Sequence, residues 1–122
     1  MANEIRVTLG ISYLNGGMTD SVPTATLPIT QSTLEFQADV VNVGTSEQDL
    51  VTANITTLGF LFLKNLDATN YVQWGPKNGG SMVVLGRIQP GESALLRLEP
   101  GITLRWKANS AAVNVLAKLY AD

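Results

Sequence analysis

Chemistry at neutral pH is carried mostly by groups that this chain lacks. Its 122 residues include no His and no Cys. The first absence removes the usual proton shuttle, the commonest metal ligand and every His-dependent triad. The second removes thiolate metal sites and disulfides. Carboxylates remain, and a glycosidase needs only two of them. Asp67, Glu92 and Glu99 lie on or beside turn signals, where they could in principle converge. Acids at strand ends are ordinary, however, and 13.0 kDa leaves little wall for a substrate-burying cleft. The chain is therefore expected not to be an enzyme. Asn65, Asp67, Thr69 and Asn70 form an oxygen-rich run of the type that a calcium ion takes. One carboxylate makes a weak site, and side chains bonding the backbone of their own turn account for the same residues. Gly79-Gly80 has neither the Lys-Ser pair nor the helix that a phosphate loop requires. No metal and no cofactor are expected.

Among the eight aromatic residues, Tyr71 and Trp74 are placed where a glycan-binding platform could sit, because Trp74 falls at a strand end beside Gly75-Pro76. Trp106 is expected in the core.

Charge narrows the partners. Only 15% of the residues are charged, against about 25% in an average soluble protein, so much of the surface is neutral and suits protein contact. A formal net charge of −2 gives no basic footprint for nucleic acid. Up to Leu61 there are six acids and one base (−5); from Phe62 there are seven bases and four acids (+3). Interleaved strands would cancel that asymmetry in space. No run approaches the roughly 20 apolar residues of a membrane span, and the start Met-Ala-Asn-Glu-Ile-Arg has no secretory pattern. A soluble protein made in a cytoplasm, with no nucleic-acid or membrane partner, is expected.

The elements that must hold these residues read as strands. Ile5, Val7, Leu9, Ile11 and Tyr13 alternate with Arg6, Thr8, Gly10 and Ser12, as in a half-buried strand. From Asn15-Gly16-Gly17 to about Gln31, a Thr/Ser/Pro-rich stretch with Pro23 and Pro28 shows no period and reads as a long loop, either a surface crossover or an arm toward a neighbouring subunit. A strand follows from about Thr33 to Val43, with Leu34, Phe36, Ala38 and Val40 alternating with Glu35, Gln37, Asp39 and Val41. Another begins near Ile55 and contains Leu58-Gly59-Phe60-Leu61-Phe62-Leu63, apolar on both faces, which implies a further cover or a subunit interface. Strands are expected at Tyr71 to Gly75, Ser81 to Ile88, Ser93 to Leu98 and Ile102 to Ala108, with type II turns at Pro90-Gly91 and Pro100-Gly101. Ala111 to Ala121 fits a helical stripe or a strand, and its all-β context favours the strand. The whole predicts an all-β antiparallel β-sandwich or jelly roll of about eight strands. Residues 1–31 form an N-terminal strand and arm, and residues 32–122 the sandwich body.

The stretch Gly59-Phe60-Leu61-Phe62-Leu63-Lys64-Asn65-Leu66-Asp67-Ala68-Thr69-Asn70-Tyr71-Val72-Gln73-Trp74-Gly75, with Leu85, Pro90-Gly91-Glu92-Ser93-Ala94-Leu95-Leu96-Arg97-Leu98 and a closing Ala-rich strand, resembles small jelly-roll virion proteins of tailed bacteriophages. The likeness covers about Val43 to Asp122 and leaves residues 1–31 unmatched. It implies a capsid decoration or cement protein on the outside of the phage head, or a neck or tail accessory piece. It further implies a homo-oligomer, with a trimer favoured, bound to the major capsid protein or another virion protein and assembled in the host bacterial cytoplasm. No catalytic residues come with it. A glycan-binding module on a host-facing appendage is the alternative. Ile5, Val7, Leu9, Phe60, Phe62 and Trp74 are the expected interface residues.

Overall fold

The computed structural model describes residues 3–122, so Met1 and Ala2 of the expected N-terminal segment lie outside the described residues. The chain is all-β and divides into two compact units at Ser32/Thr33.

The first unit is a hairpin. β1 (Ile5–Asn15) pairs antiparallel with β2 (Met18–Ile29), from Ile5↔Ile29 to Asn15↔Met18. Residues 18–29, expected to be loop, are therefore a strand. The two-residue connection Gly16-Gly17 holds Gly16 at φ +59°, a conformation suited to a residue without Cβ, and its twist matches the flanking strands. Between Leu9↔Ala25 and Ile11↔Val22, the single residue Gly10 faces both Pro23 and Thr24. This bulge explains the missing period. Apolar Ile29, Leu27 and Ala25 run at one phase of β2, and Val22 resumes at the other. Counted along the sequence, the alternation cancels; folded, it stays on one face.

The second unit is the sandwich. It contains β3 (Phe36–Val43), β4 (Gln48–Asp49), β5 (Leu58–Asn65), β6 (Val72–Asn78), β7 (Ser81–Met82), β8 (Gly86–Ile88), β9 (Ser93–Arg97), β10 (Leu104–Ala108) and β11 (Val113–Ala121). One sheet has the order β3-β11-β5-β9. The other has β4-β10-β6, with β8 and the two-residue β7 both on β6. Successive strands from β3 to β6, and again from β8 to β11, alternate between the sheets, which is the winding of a jelly roll. β11 settles the ambiguous segment. It lies between β3 and β5 and buries Val113, Val115, Ala117, Leu119 and Ala121 at period two. Leu61 and Leu63 from β5 meet Leu104, Trp106 and Ala108 from β10 in a single core.

Several boundaries move. β3 starts at Phe36 and β5 at Leu58, later than the sequence pattern suggests. The expected strand Ser81 to Ile88 is interrupted at 83–85. Pro76, expected to end a strand, lies within β6 opposite Leu104, and its carbonyl accepts from the Val83 N–H. Both type II turns form: Gly91 and Gly101 sit at φ +78° and +89°, with Glu92 N–H to Gln89 O at 3.0 Å and Ile102 N–H to Glu99 O at 3.3 Å.

Candidate functional site

Each unit presents an apolar sheet face to solvent. On the hairpin, the register stacks Ile5 against Ile29, Val7 against Leu27, Leu9 against Ala25 and Ile11 against Val22 on one side. Leu9 and Ile11 are 61% and 67% exposed. The opposite side carries Arg6, Thr8 and Ser12, where the Thr8 and Thr26 hydroxyls meet at 3.0 Å. Of the expected interface residues, Ile5 is buried, Val7 half-buried and Leu9 exposed, all on the apolar side. Ile11, Val22 and Leu27 belong with them. Ile11 continues an alternation visible in sequence, whereas the β2 residues are hidden by the bulge.

On the sandwich, the outer face of β3-β11-β5-β9 is aromatic and basic, with Lys118 opposite Phe62, Lys64 opposite Leu116 and Arg97 opposite Phe60. The register places Phe36, Tyr120 and Phe60 in one row and Phe62 beside Leu95 in the next. All three Phe of the chain lie on this face. Phe36 and Val40 are 57% and 60% exposed, while Phe60 and Phe62 are half-buried. The Phe36 and Tyr120 ring centroids lie 5.3 Å apart. The Arg97 guanidinium sits 4.3 Å over the Phe60 ring while pairing with Asp122 at 2.8 Å. Arginine stacked on an aromatic surface is a common composition of interface centres.

The other outer face is charged. Arg105 donates through Nε to Asp49 Oδ1 at 2.7 Å, and through a terminal nitrogen to Glu47 Oε1 at 3.1 Å and Gly80 O at 2.8 Å. Lys77 lies 3.7 Å from Asp49. Acids of the front half thus meet bases of the back half, and the charge asymmetry along the sequence cancels at this face. The Met82 N–H, then Arg105, hold Glu47 below its ordinary range. Arg105, then Lys77, do the same for Asp49.

Asn65 is fully buried. Its Nδ2 donates to Asn70 O (2.9 Å) and Ile88 O (3.0 Å), and its Oδ1 accepts from the Asp67 N–H (2.8 Å). Asp67 in turn accepts from the N–H groups of Asn70 and Thr69, which lower its pKa. The oxygen-rich run is thus occupied with its own turn, and among the described residues no acidic cluster suits a metal ion.

Trp74 does not stand out as a platform. It is half-buried, packs on the core opposite Trp106, and lies so close to Gly86 that a Cβ there would come within 2.9 Å of its ring. Tyr71 carries the Arg87 guanidinium 4.9 Å above its ring. A cleft of about 270 Å³ in the sandwich is lined by Thr52, Thr56, Thr57 and Thr103 with apolar neighbours, and no charged group reaches it.

Compared with family models, curated proteins and solved structures, the chain matches none.

Proposed function

We propose that this chain is a structural protein that works by assembly, as a virion subunit that decorates or cements the head shell of a tailed phage in homo-oligomeric form. The hairpin arm carries the proposal. Strands of 11 and 12 residues form a two-stranded sheet whose apolar side is exposed at Leu9, Ile11, Tyr13, Val22 and Leu27. A two-stranded sheet alone is marginal in water, and exposed apolar side chains gathered on one sheet face are a common mark of an interaction surface. The aromatic face of the sandwich offers a second contact, so one subunit can hold a neighbour and a support at once. Modest contacts repeated over a shell reinforce it by avidity.

The resemblance of residues 59–75 and 90–98 to phage virion proteins supplies the shell as partner, with the major capsid protein or another virion protein as the binding surface. Jelly rolls also build viral capsid and lectin domains, an analogy of fold that weighs less than the surfaces. A neck or tail piece would use the same faces at another place on the particle. A glycan-binding role has less support, because Trp74 packs inward and the Tyr71 ring is overlain by Arg87.

Quantitative mass spectrometry of gradient-purified particles tests the proposal. Decoration predicts copies in the hundreds, a neck or tail piece predicts about a dozen or fewer, and absence from purified particles refutes both.

A further inference from the structure

We infer that the hairpin arms of two copies pair edge to edge through β1, antiparallel and centred on Gly10, to form a four-stranded sheet. This rests on the assembly function proposed above and names the arm's first partner as a second copy of this chain.

The two edges of the arm are chemically different. Pro28 has no N–H, so Arg6↔Pro28 must be a non-hydrogen-bonded pair, with the Pro28 nitrogen facing the outer edge of β2. The bulge at Pro23-Thr24 disrupts that same edge. Proline and bulges are the devices that blunt an edge against further pairing. β1 contains no proline. By the same alternation, the main-chain N–H and C=O groups of Arg6, Thr8, Ser12 and Leu14 point outward along an intact edge, and among the described residues β1 pairs only with β2. An open edge is a template for an identical one.

The register follows from matching the outward groups. Antiparallel pairing about a two-fold axis at Gly10 sets Arg6 opposite the partner copy's residue 14 and Thr8 opposite its residue 12, so all four outward positions bond. It opposes no like charges, because Arg6 meets a Leu. On the apolar side it brings Val7 next to a Tyr and Leu9 next to an Ile, pairs that stabilise sheets. A shift by two residues leaves part of the set unpaired. The two-fold keeps both apolar sides on the same face, and four strands with one hydrophobic face reach the size at which a sheet stands by itself. That doubled face is left for the support to which the pair binds. This pairing is two-fold, where the family resemblance implies a trimer.

The chain has no Cys, which makes cross-linking clean. The double variant Thr8→Cys/Ser12→Cys cannot close within one arm, since four extended residues span about 13 Å. Oxidation should convert most of it to a covalent dimer on a non-reducing gel, whereas Thr19→Cys/Thr26→Cys on the β2 edge should stay monomeric. Sedimentation of the native chain at tens of micromolar should give a dimer. Ser12→Pro, which removes an outward N–H not used within the hairpin, should weaken dimerisation at least tenfold, and Ser21→Pro on the β2 edge should not. Tryptophan fluorescence confirms that the sandwich of each variant is folded, and Ser21→Pro, in the same cross-strand pair as Ser12, controls for the cost of a proline within the hairpin. A native monomer or trimer, or cross-linking through the β2 edge, overturns the pairing. A monomer that still loads onto particles overturns the pairing alone, and a dimer absent from particles overturns the virion function alone.

Discussion

Replacing Asn65 with alanine probes how the loop side of the sandwich is held. The wild-type side chain is fully buried and makes three hydrogen bonds, two given and one taken, that join the 65–70 turn to the end of β8. Its main chain adds two more to the type II turn, from Asn65 N–H to Glu92 O at 3.0 Å and from Gly91 N–H to Asn65 O at 3.1 Å. Alanine keeps the main-chain pair and removes the other three. Each lost bond costs about 1 kcal/mol, and the Ile88 carbonyl, stranded beside a 2%-exposed residue, costs up to about 3 kcal/mol in desolvation. The expected loss is about 3–5 kcal/mol, a large part of the roughly 5–15 kcal/mol that holds a domain together. In urea titration followed by tryptophan fluorescence, with a slope of about 1 kcal/mol per molar, the midpoint should fall by about 3–5 M. Asn114→Ala is the control. Asn114 takes part in an exposed amide pair with Asn42 at 3.0 Å and should shift stability by less than about 0.5 kcal/mol. An Asn65→Ala loss below about 1 kcal/mol would refute the view that this side chain organises the two turns.

Three further outcomes follow from the sandwich. Glu47, Asp49 and Asp67 titrate below their ordinary values in the fold. The unfolded chain therefore takes up their protons first, and stability that is full above about pH 5 should fall as pH drops below about 4. With no His, the urea midpoint should stay flat between about pH 5 and 8, and Arg105→Leu should shrink the acid loss. A Cβ at Gly75 would fall inside the Val83 carbonyl of the 83–85 connection, so Gly75→Ala should destabilise by about 1–3 kcal/mol in the same titration. Phe36→Ser with Val40→Ser alters an exposed surface, so thermal unfolding should move little while, on the assembly proposed above, loss of this second contact weakens particle loading measured by co-sedimentation.

How much of this was legible in the sequence depended on phase and register. The Pro-Gly pairs forecast both type II turns, because positive φ at the third residue demands glycine there. β11 was decided by context, since its apolar residues fit either period. The arm was half legible. β1 alternates without interruption, but Pro23 and Pro28 read as breakers and the bulge inverts the phase of β2, so the partner strand looked like loop. β3 misleads in a different way. Its apolar row of Phe36, Ala38 and Val40 faces outward, while Gln37 and Asp39 lie on the inward phase of an edge strand. Alternation identifies a strand but not which side it buries. The double-sided apolar run in β5 did announce the aromatic face, yet its partners Phe36, Leu95 and Tyr120 come from strands distant in sequence, and only the register brings them together. Trp74 was expected at the end of a short strand, whereas β6 continues past it to Asn78, and the side chain points inward because the pairing of β6 with β10 sets it opposite Trp106.

A cryo-electron-microscopy map of the proposed particles, purified from cells that make this chain, tests assembly most directly. Jelly-roll densities are expected on the particle surface, with each Ile5–Ile29 hairpin paired to its copy through β1 and its apolar side seated on protein. Particles without the subunit, or hairpins projecting bare into solvent, would contradict it.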